Sequence, residues 1–223
     1  MSEQQFEATT LGGFVQQIAV SYIANGYFFY VTGRVPERKD PRLLDRKFAE
    51  TYELDISKWA RARRKQAGYA NVRYIRFERF FVLLATAGKH QFFVSEGKLI
   101  RDVRRVPLKF GGYSISHRGG HAHVRIEQET YKMVKAHLVD LAVRRSVESL
   151  EAAFRGLPFE PYRPVVRQVL TILRAVNRVR KASGYQPVPA ASLRMFREIY
   201  RPFEPAVSMP PSSRNAEMLE RIR

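Results

Sequence analysis

The 223-residue sequence contains no cysteine. The protein therefore has no disulfide bonds and no thiolate ligands for metals, which suits a reducing compartment such as the cytoplasm. No apolar segment reaches the roughly 20 residues that a membrane-spanning helix needs. The first residues, "MSEQQFEATT", are polar and acidic, unlike the basic start of a signal peptide. We therefore expect a cytoplasmic protein without a membrane-inserted segment.

Several catalytic motifs are also missing. Gly88 and Lys89 lack the partner glycine of a phosphate-binding P-loop, and the sequence has no HExxH pattern of zinc proteases. The aspartates are scattered, so the sequence indicates no two-metal nuclease cluster. These enzyme classes find no support in the sequence.

Positive charge is abundant. The formal net charge is +18, while 45% of the residues are hydrophobic and can form a core. A polyanionic partner offsets the self-repulsion of such a chain, and nucleic acid is the commonest partner of this kind. An anionic membrane and ribosomal RNA are the alternatives. We expect a nucleic-acid partner, either DNA or RNA, and no membrane.

The basic residues gather in four clusters. They lie in "KWARARRKQ", in "RYIRFER", in "RDVRRVPLKF" and on a long predicted helix near the C-terminus. Guanidinium groups bind phosphate through forked hydrogen bonds, and neighbouring aromatic rings can stack on unpaired bases. The residues predicted to bind nucleic acid are Lys58, Arg61, Arg63, Arg64, Lys65, Arg73, Tyr74, Arg76, Arg79, Arg101, Arg104, Arg105, Lys109, Arg118, Arg167, Arg174, Arg178 and Lys181.

Three aromatic residues near these clusters have two possible roles. Trp59, Tyr69 and Tyr74 could stack on bases or pack in the core. The sequence leaves both roles open.

The pattern of elements predicts an α+β fold. We expect a mainly antiparallel sheet with helices packed on one face, followed by a helical C-terminal extension. The expected domains are an α+β nucleic-acid-binding domain over residues 1–157, a helical extension over 158–205 and a flexible tail over 206–223.

Local signals place the individual elements. Asp40 with Pro41 and Ser57 mark two helix starts. Strands are expected at 26–34, 70–77, 79–86 and within 90–107, and a hairpin is expected at 109–126. Helices are expected from Glu129 to Gly156, over 164–182 and in "SLRMFREIY".

The segments "GYFFYVTGR", "RLLDRKFAETY" and "ANVRYIRFERFFVLLAT" together resemble the first half of the single-tyrosine HUH transposases, in particular the REP-associated tyrosine transposases. The resemblance implies a small antiparallel sheet backed by helices that binds hairpin single-stranded DNA. It further implies a helical tyrosine that attacks the DNA backbone with the help of a divalent metal. At the strand where that family has its two histidines, this chain has Phe80-Phe81-Val82-Leu83-Leu84. The resemblance therefore implies a degenerate relative or a convergent sheet.

A second pair of histidines occurs in "RGGHAHVRIEQETYK". His121 and His123 lie two apart and would share one face of a strand, where they could hold Mg²⁺ or Mn²⁺. The third ligand would be His117, His137, Glu127 or Glu129. Tyr131 would be the nucleophile, with Lys132 or Lys135 stabilising phosphate charge. The alternative is two surface histidines that touch phosphate or solvent.

Taken together, the residues predict a nucleic-acid-binding protein with a degenerate transposase-like domain that holds single-stranded or hairpin DNA. One alternative is an active metal-dependent HUH-type nickase or transposase that uses Tyr131. Another is an RNA-binding component of a ribonucleoprotein.

Overall fold

A computed structural model describes residues 5–204 of the chain. Within this range it contains seven α-helices and two antiparallel sheets, so the α+β prediction is confirmed. The elements in chain order are α1 (Leu11–Gln16), β1 (Phe29–Arg34), α2 (Pro41–Thr51), α3 (Lys58–Gln66), β2 (Val72–Phe77), β3 (Phe80–Ala85), α4 (Gln91–Ser95), β4 (Arg101–Asp102), β5 (Leu108–Phe110), β6 (Tyr113–Arg118), β7 (His121–Ile126), α5 (Gln128–Leu141), α6 (Val147–Arg155) and α7 (Arg163–Ala182).

The described chain forms two compact units. The first contains residues 5–108, 115–123 and 199–204, and the second contains 109–114 and 124–198. This division differs from the expected boundary at residue 157, because α5 packs directly against α7 and therefore belongs to the same unit. The tail predicted over 206–223 lies outside the described residues.

The first unit is built on a four-stranded sheet in the order β2-β3-β1-β4. The strand β3 is central, as its continuously apolar sequence predicts, and it is antiparallel to both neighbours. One face packs on a core that includes Tyr52, Leu54 and Phe92. Gly33 in β1 lets the ring of Phe81 approach the backbone, because a Cβ atom at this position would lie 2.5 Å from the ring and force it to shift.

Most helix starts and strands follow the local signals. Asp40 accepts a hydrogen bond from the Arg42 amide at 2.9 Å and caps α2, while Ser57 accepts one from the Ala60 amide at 3.1 Å and caps α3. The predicted hairpin is formed by β6 and β7, with Gly119 and Gly120 at its turn. Both glycines have positive φ, 56° and 81°, as a tight two-residue hairpin turn requires.

One part of the fold was not predicted, and two expectations about elements were wrong. The sequence did not predict α1 or the π-helical segment Gln17–Tyr22 after it. The strand expected near residue 92 is the short helix α4, because Nδ1 of His90 accepts a hydrogen bond from the Phe92 amide at 3.0 Å and caps it. The helix expected in "SLRMFREIY" is absent, and within the described chain that segment has only the end of a 3₁₀ turn, Ala190–Ser192.

The second unit contains α5, α6 and α7. The helix expected from residue 129 to 156 is divided in two, since Ser146 starts α6 by accepting a hydrogen bond from the Ser149 amide at 3.3 Å. The last helix is observed as Arg163–Ala182, close to the predicted bounds. No described helix has both the length and the apolar character to cross a lipid bilayer.

A buried ion-pair network joins elements of the first unit. Arg76 in β2 is only 3% exposed and donates to both carboxylate oxygens of Asp45 in α2, at 3.1 and 3.0 Å. Arg76 also pairs with Glu7 at 2.9 Å. Burial alone would lower the pKa of Arg76, but the hydrogen bonds to Asp45 and Glu7 raise it above its ordinary value. The guanidinium therefore stays charged and holds α2 and the N-terminal segment to the sheet.

We predict that Arg76→Met lowers the free energy of unfolding by about 3 kcal/mol, because it leaves the Asp45 carboxylate without its cation. Arg73→Met is the matched control on the same strand. Arg73 is half-buried and has no ion pair with a described residue, so its loss should cost less than about 0.5 kcal/mol. Urea unfolding followed by circular dichroism measures both, and equal effects would contradict the structural role of Arg76.

Candidate nucleic-acid interface

Two residues predicted to bind nucleic acid belong to the core instead. Tyr74 is 2% exposed and its hydroxyl donates to Asp45 at 2.6 Å. Burial, followed by the hydrogen bond to Asp45, raises the pKa of Tyr74. Arg76 is held by the ion pairs described above. Neither side chain can reach a nucleic acid, because β2 directs residues 72, 74 and 76 towards the same packed face.

Four further basic residues are occupied by contacts within their own unit. The guanidinium of Arg79 donates to backbone carbonyls of the 35–39 loop, including Pro36 at 2.6 Å. The other three form ion pairs: Arg64 with Glu53, Arg104 with Asp102 and Lys109 with Glu127. These contacts lower the pKa values of the three carboxyl groups. The prediction for these four residues therefore changes to a structural role, with the exposed pairs adding little stability.

The remaining predicted residues of the first unit are mostly exposed. In α3, the exposed cations are Lys58, Arg63 and Lys65, and no described residue forms an ion pair with them. Arg61 is half-buried and donates to the carbonyl of Ile56. Outside α3, the exposed predicted residues are Arg101, Arg105 and Arg118.

The second unit carries the most regular basic surface, which we call the cationic stripe. Its members are the exposed cationic residues of α7 that lie on one side of the helix, namely Arg163, Arg167, Arg174, Arg178 and Lys181. At 3.6 residues per turn they fall within a wedge of about 60° and extend over about 27 Å. The helix contains no Asp or Glu, and no described carboxylate pairs with the stripe.

The sequence prediction contained four of these five residues. Arg163 was missed, although its position four residues before Arg167 places it on the same side of the helix. Its place at the first residue of α7 explains the omission, because the helix was expected to begin at Pro164. The stripe is therefore one turn longer than predicted.

The opposite side of α7 is buried. Its apolar residues Val165, Val169, Ile172 and Val176 are at most 9% exposed. Gln168 holds the helix to the end of β7 through two hydrogen bonds with the backbone of Ile126, at 2.8 and 3.0 Å. The stripe is thus presented by a helix that packing keeps in place.

Arg180 belongs to the buried side of α7, unlike its neighbours in sequence. Its side chain is 3% exposed and donates to the carbonyl oxygens of Ala142 at 2.6 Å, Arg145 at 3.0 Å and Gln186. The carbonyls at the C-terminal end of α5 carry the negative end of the helix dipole and stabilise this charge. Arg180 therefore fixes the C-terminal half of the stripe.

The described residues do not assemble the predicted metal centre. No group of three or more His, Asp or Glu residues within 5–204 could hold a metal ion. Two of the proposed third ligands are engaged elsewhere: Glu127 pairs with Lys109 and caps α5, and Glu129 pairs with Lys132 at 2.9 Å. The ring of His117 packs 4.6 Å from that of Phe28.

The two histidines of β7 do share a face, as their spacing predicts. Val124 and Ile126 are buried, whereas His121 is exposed and His123 is partly buried on the opposite side of the strand. Tyr131 is partly buried in the first turn of α5. A nucleophilic role for Tyr131 stays a prediction. No group of metal ligands among the described residues supports it.

An open cleft of about 1060 Å³ lies beside α3 in the first unit. Its lining includes Arg63, Tyr69, Lys89 and His90, together with the acidic residues Glu50 and Glu53. Burial and the neighbouring Arg64 lower the pKa of His90, and its Nδ1 accepts the hydrogen bond that caps α4. The neutral imidazole is therefore the form that the fold requires.

The sequence was compared with models of known protein families and with curated proteins, and neither comparison gives a match. The resemblance to the single-tyrosine HUH transposases accordingly stays a prediction.

We predict that Arg180→Met lowers the free energy of unfolding by about 2–3 kcal/mol, because the buried guanidinium's hydrogen bonds to three backbone carbonyls are lost. The matched control is Arg178→Met, two residues earlier on the exposed side, which should change stability by less than about 0.5 kcal/mol. Chemical denaturation measures both variants. A loss of the same size in both would show that Arg180 does not hold the helix.

The cap at His90 predicts a pH-dependent contribution to stability. Because the folded state lowers the pKa of His90, this contribution is complete above the ordinary histidine pKa of about 6.5 and is lost as pH falls through the lowered value. His90→Asn supplies a cap that does not titrate, so it should flatten the stability profile below about pH 6.5. Thermal unfolding at a series of pH values tests this, with His121→Asn as the exposed control. An unchanged profile in His90→Asn would refute the assignment.

Proposed function

We propose that this protein binds nucleic acid through contacts with the phosphate backbone, and that the cationic stripe of α7 is its main contact surface. The observation that carries the proposal is the alignment of five exposed cations along one side of a helix without a single acidic residue. Guanidinium groups match phosphate oxygens with two parallel hydrogen bonds, so such a row suits a polyanionic strand.

A role in solubility alone does not account for this arrangement. Solubility is served by surfaces on which both signs of charge are mixed. On α5, α6 and the turn between them, in the same unit, three exposed cations do have acidic partners: Lys132 with Glu129, Arg144 with Asp140 and Arg155 with Glu151. The contrast within one unit favours a binding function for α7.

The proposed ligand is DNA or RNA with a single-stranded or hairpin region, held in the cytoplasm. A degenerate transposase-like domain is part of this proposal. It rests on the sequence resemblance alone, in which β3 has Phe80 and Phe81 at the strand where that family carries histidines. Catalysis by Tyr131 is not part of it. If this protein copurifies with one defined RNA, it is instead a ribonucleoprotein component, and the cationic stripe would bind the phosphates of that RNA.

We predict that the triple substitution Arg167→Gln, Arg174→Gln and Arg178→Gln raises the dissociation constant for a hairpin oligonucleotide by about one to two orders of magnitude at low salt. The plot of log affinity against log salt concentration should lose about 2–3 units of slope, because three fewer phosphates are neutralised. Fluorescence anisotropy of a labelled oligonucleotide measures both quantities.

The matched control is Lys132→Gln, Arg144→Gln and Arg155→Gln, which removes the same net charge from the same unit but leaves the stripe intact. This variant should bind within about threefold of the wild type, since diffuse charge acts weakly at physiological salt. Equal losses in the two triple variants would attribute binding to net charge rather than to the stripe. Wild-type protein that binds neither DNA nor RNA would end the proposal.

A further inference from the structure

Trp59 is the only tryptophan of the chain, and it is exposed. Its side chain in α3 is 79% accessible to solvent, although tryptophan is among the most thoroughly buried side chains on average. Among the described residues, no aromatic ring or cation stacks on it. A large flat ring is therefore offered to solvent from a helix, which fixes the position of its backbone.

The surroundings of Trp59 are cationic. The exposed side of α3 also carries Lys58, Ala62 and Arg63, and the helix contains no acidic residue. Arg63 follows Trp59 by four residues and so lies one turn further along the same side. Arg64 pairs with Glu53, whereas Arg63 and Lys58 are exposed on α3 and form no ion pair with a described residue.

The same surface continues into the open cleft beside α3, because Arg63 lines that cleft. A second exposed aromatic ring, Tyr69, is 52% accessible there. The Tyr69 amide donates to the Arg64 carbonyl at 2.9 Å, and the Lys89 amide donates to the Gly68 carbonyl at 3.0 Å. Backbone hydrogen bonds thus fix Tyr69 and Lys89 side by side just after α3 ends.

We propose that Trp59 is a stacking platform for an unpaired base, with Lys58 and Arg63 contacting the flanking phosphates and Tyr69 offering a second ring further along the strand. This inference rests on the proposed nucleic-acid-binding function and specifies its ligand: a single-stranded segment. Bases inside a duplex already stack on both neighbours and present no free face to a side chain, whereas an unpaired base does.

An anionic lipid surface is the other ligand that an exposed tryptophan among cations can contact. A helix that lies in a lipid interface needs a broad apolar face, and α3 does not have one. Apart from Trp59, the exposed side of α3 carries only Ala62, Gln66 and basic residues. The alternation of aromatic rings and cations on this surface fits a single-stranded nucleic acid better than a lipid surface.

Because Trp59 is the sole tryptophan, its fluorescence reports directly on this site in the full chain. We expect an unstructured oligothymidine to quench the emission as it saturates the protein, and a blunt duplex of equal length to leave it largely unchanged. Trp59→Ala should weaken oligothymidine binding about tenfold, while duplex affinity changes less than about twofold. Trp59→Phe keeps a ring and should stay within about threefold of the wild type.

The control variant is Phe196→Ala, which removes another highly exposed ring, 90% accessible, from the second unit. It should bind oligothymidine as the wild type does. Circular dichroism checks that each variant is folded, which we expect because these side chains are exposed.

The outcomes separate this inference from the proposed function. The stacking platform is overturned if anisotropy shows that oligothymidine binds while Trp59 emission does not change. It is also overturned if oligothymidine binds Trp59→Ala as tightly as the wild type. Neither result contradicts the proposed role of the cationic stripe. Loss of all binding to DNA and RNA overturns both. Vesicles of phosphatidylserine and phosphatidylcholine that shift Trp59 emission to shorter wavelength, with no effect of oligothymidine, would assign the surface to lipid and overturn the inference as well.

Discussion

Repulsion between neighbouring cations on α7 is the constraint on which the rest of the second unit depends. Five exposed positive side chains share one side of this helix and receive no carboxylate from the described residues. A helix with such a side is held in place only if its other side is firmly buried. Val165, Ile172 and Val176 supply that burial, and Gln168 adds two hydrogen bonds to the backbone of β7.

Arginine serves two opposed purposes in this protein, and the structure separates them. Arg76 and Arg180 are both 3% exposed and hold elements together, one through carboxylates and the other through carbonyls. Arg167 and Arg174 face solvent and have no such partner among the described residues. The 39 basic residues are therefore not all free to meet a ligand, and among the exposed ones α7 carries the longest row along one side of a helix.

The sequence predicted those features that depend on local patterns. The caps at Asp40 and Ser57, the glycine turn of the β6–β7 hairpin and the long amphipathic helix α7 each follow from residues close together in the chain. The 3.6-residue period alone placed Arg167, Arg174 and Arg178 on one side of their helix.

Features that depend on distant residues could not be predicted in this way. Basic residues that alternate with aromatic ones in β2 suggested a binding surface, but Asp45 and Glu7 turn Arg76 into a core residue from 31 and 69 positions away. The spacing of His121 and His123 suggested a metal site, yet a third ligand would have to come from elsewhere in the fold. Trp59 was undecided for the same reason, since only tertiary packing determines whether its ring is covered.

The most direct test of the central claim is to observe the arginine side chains while nucleic acid binds. A titration of isotopically labelled protein with a hairpin oligonucleotide, followed through the Nε–Hε resonances of arginine, distinguishes the two sets of residues within one sample. The account predicts that Arg167, Arg174 and Arg178 shift with increasing ligand, while the buried Arg76 and Arg180 do not. Binding that leaves the α7 resonances unchanged would contradict it.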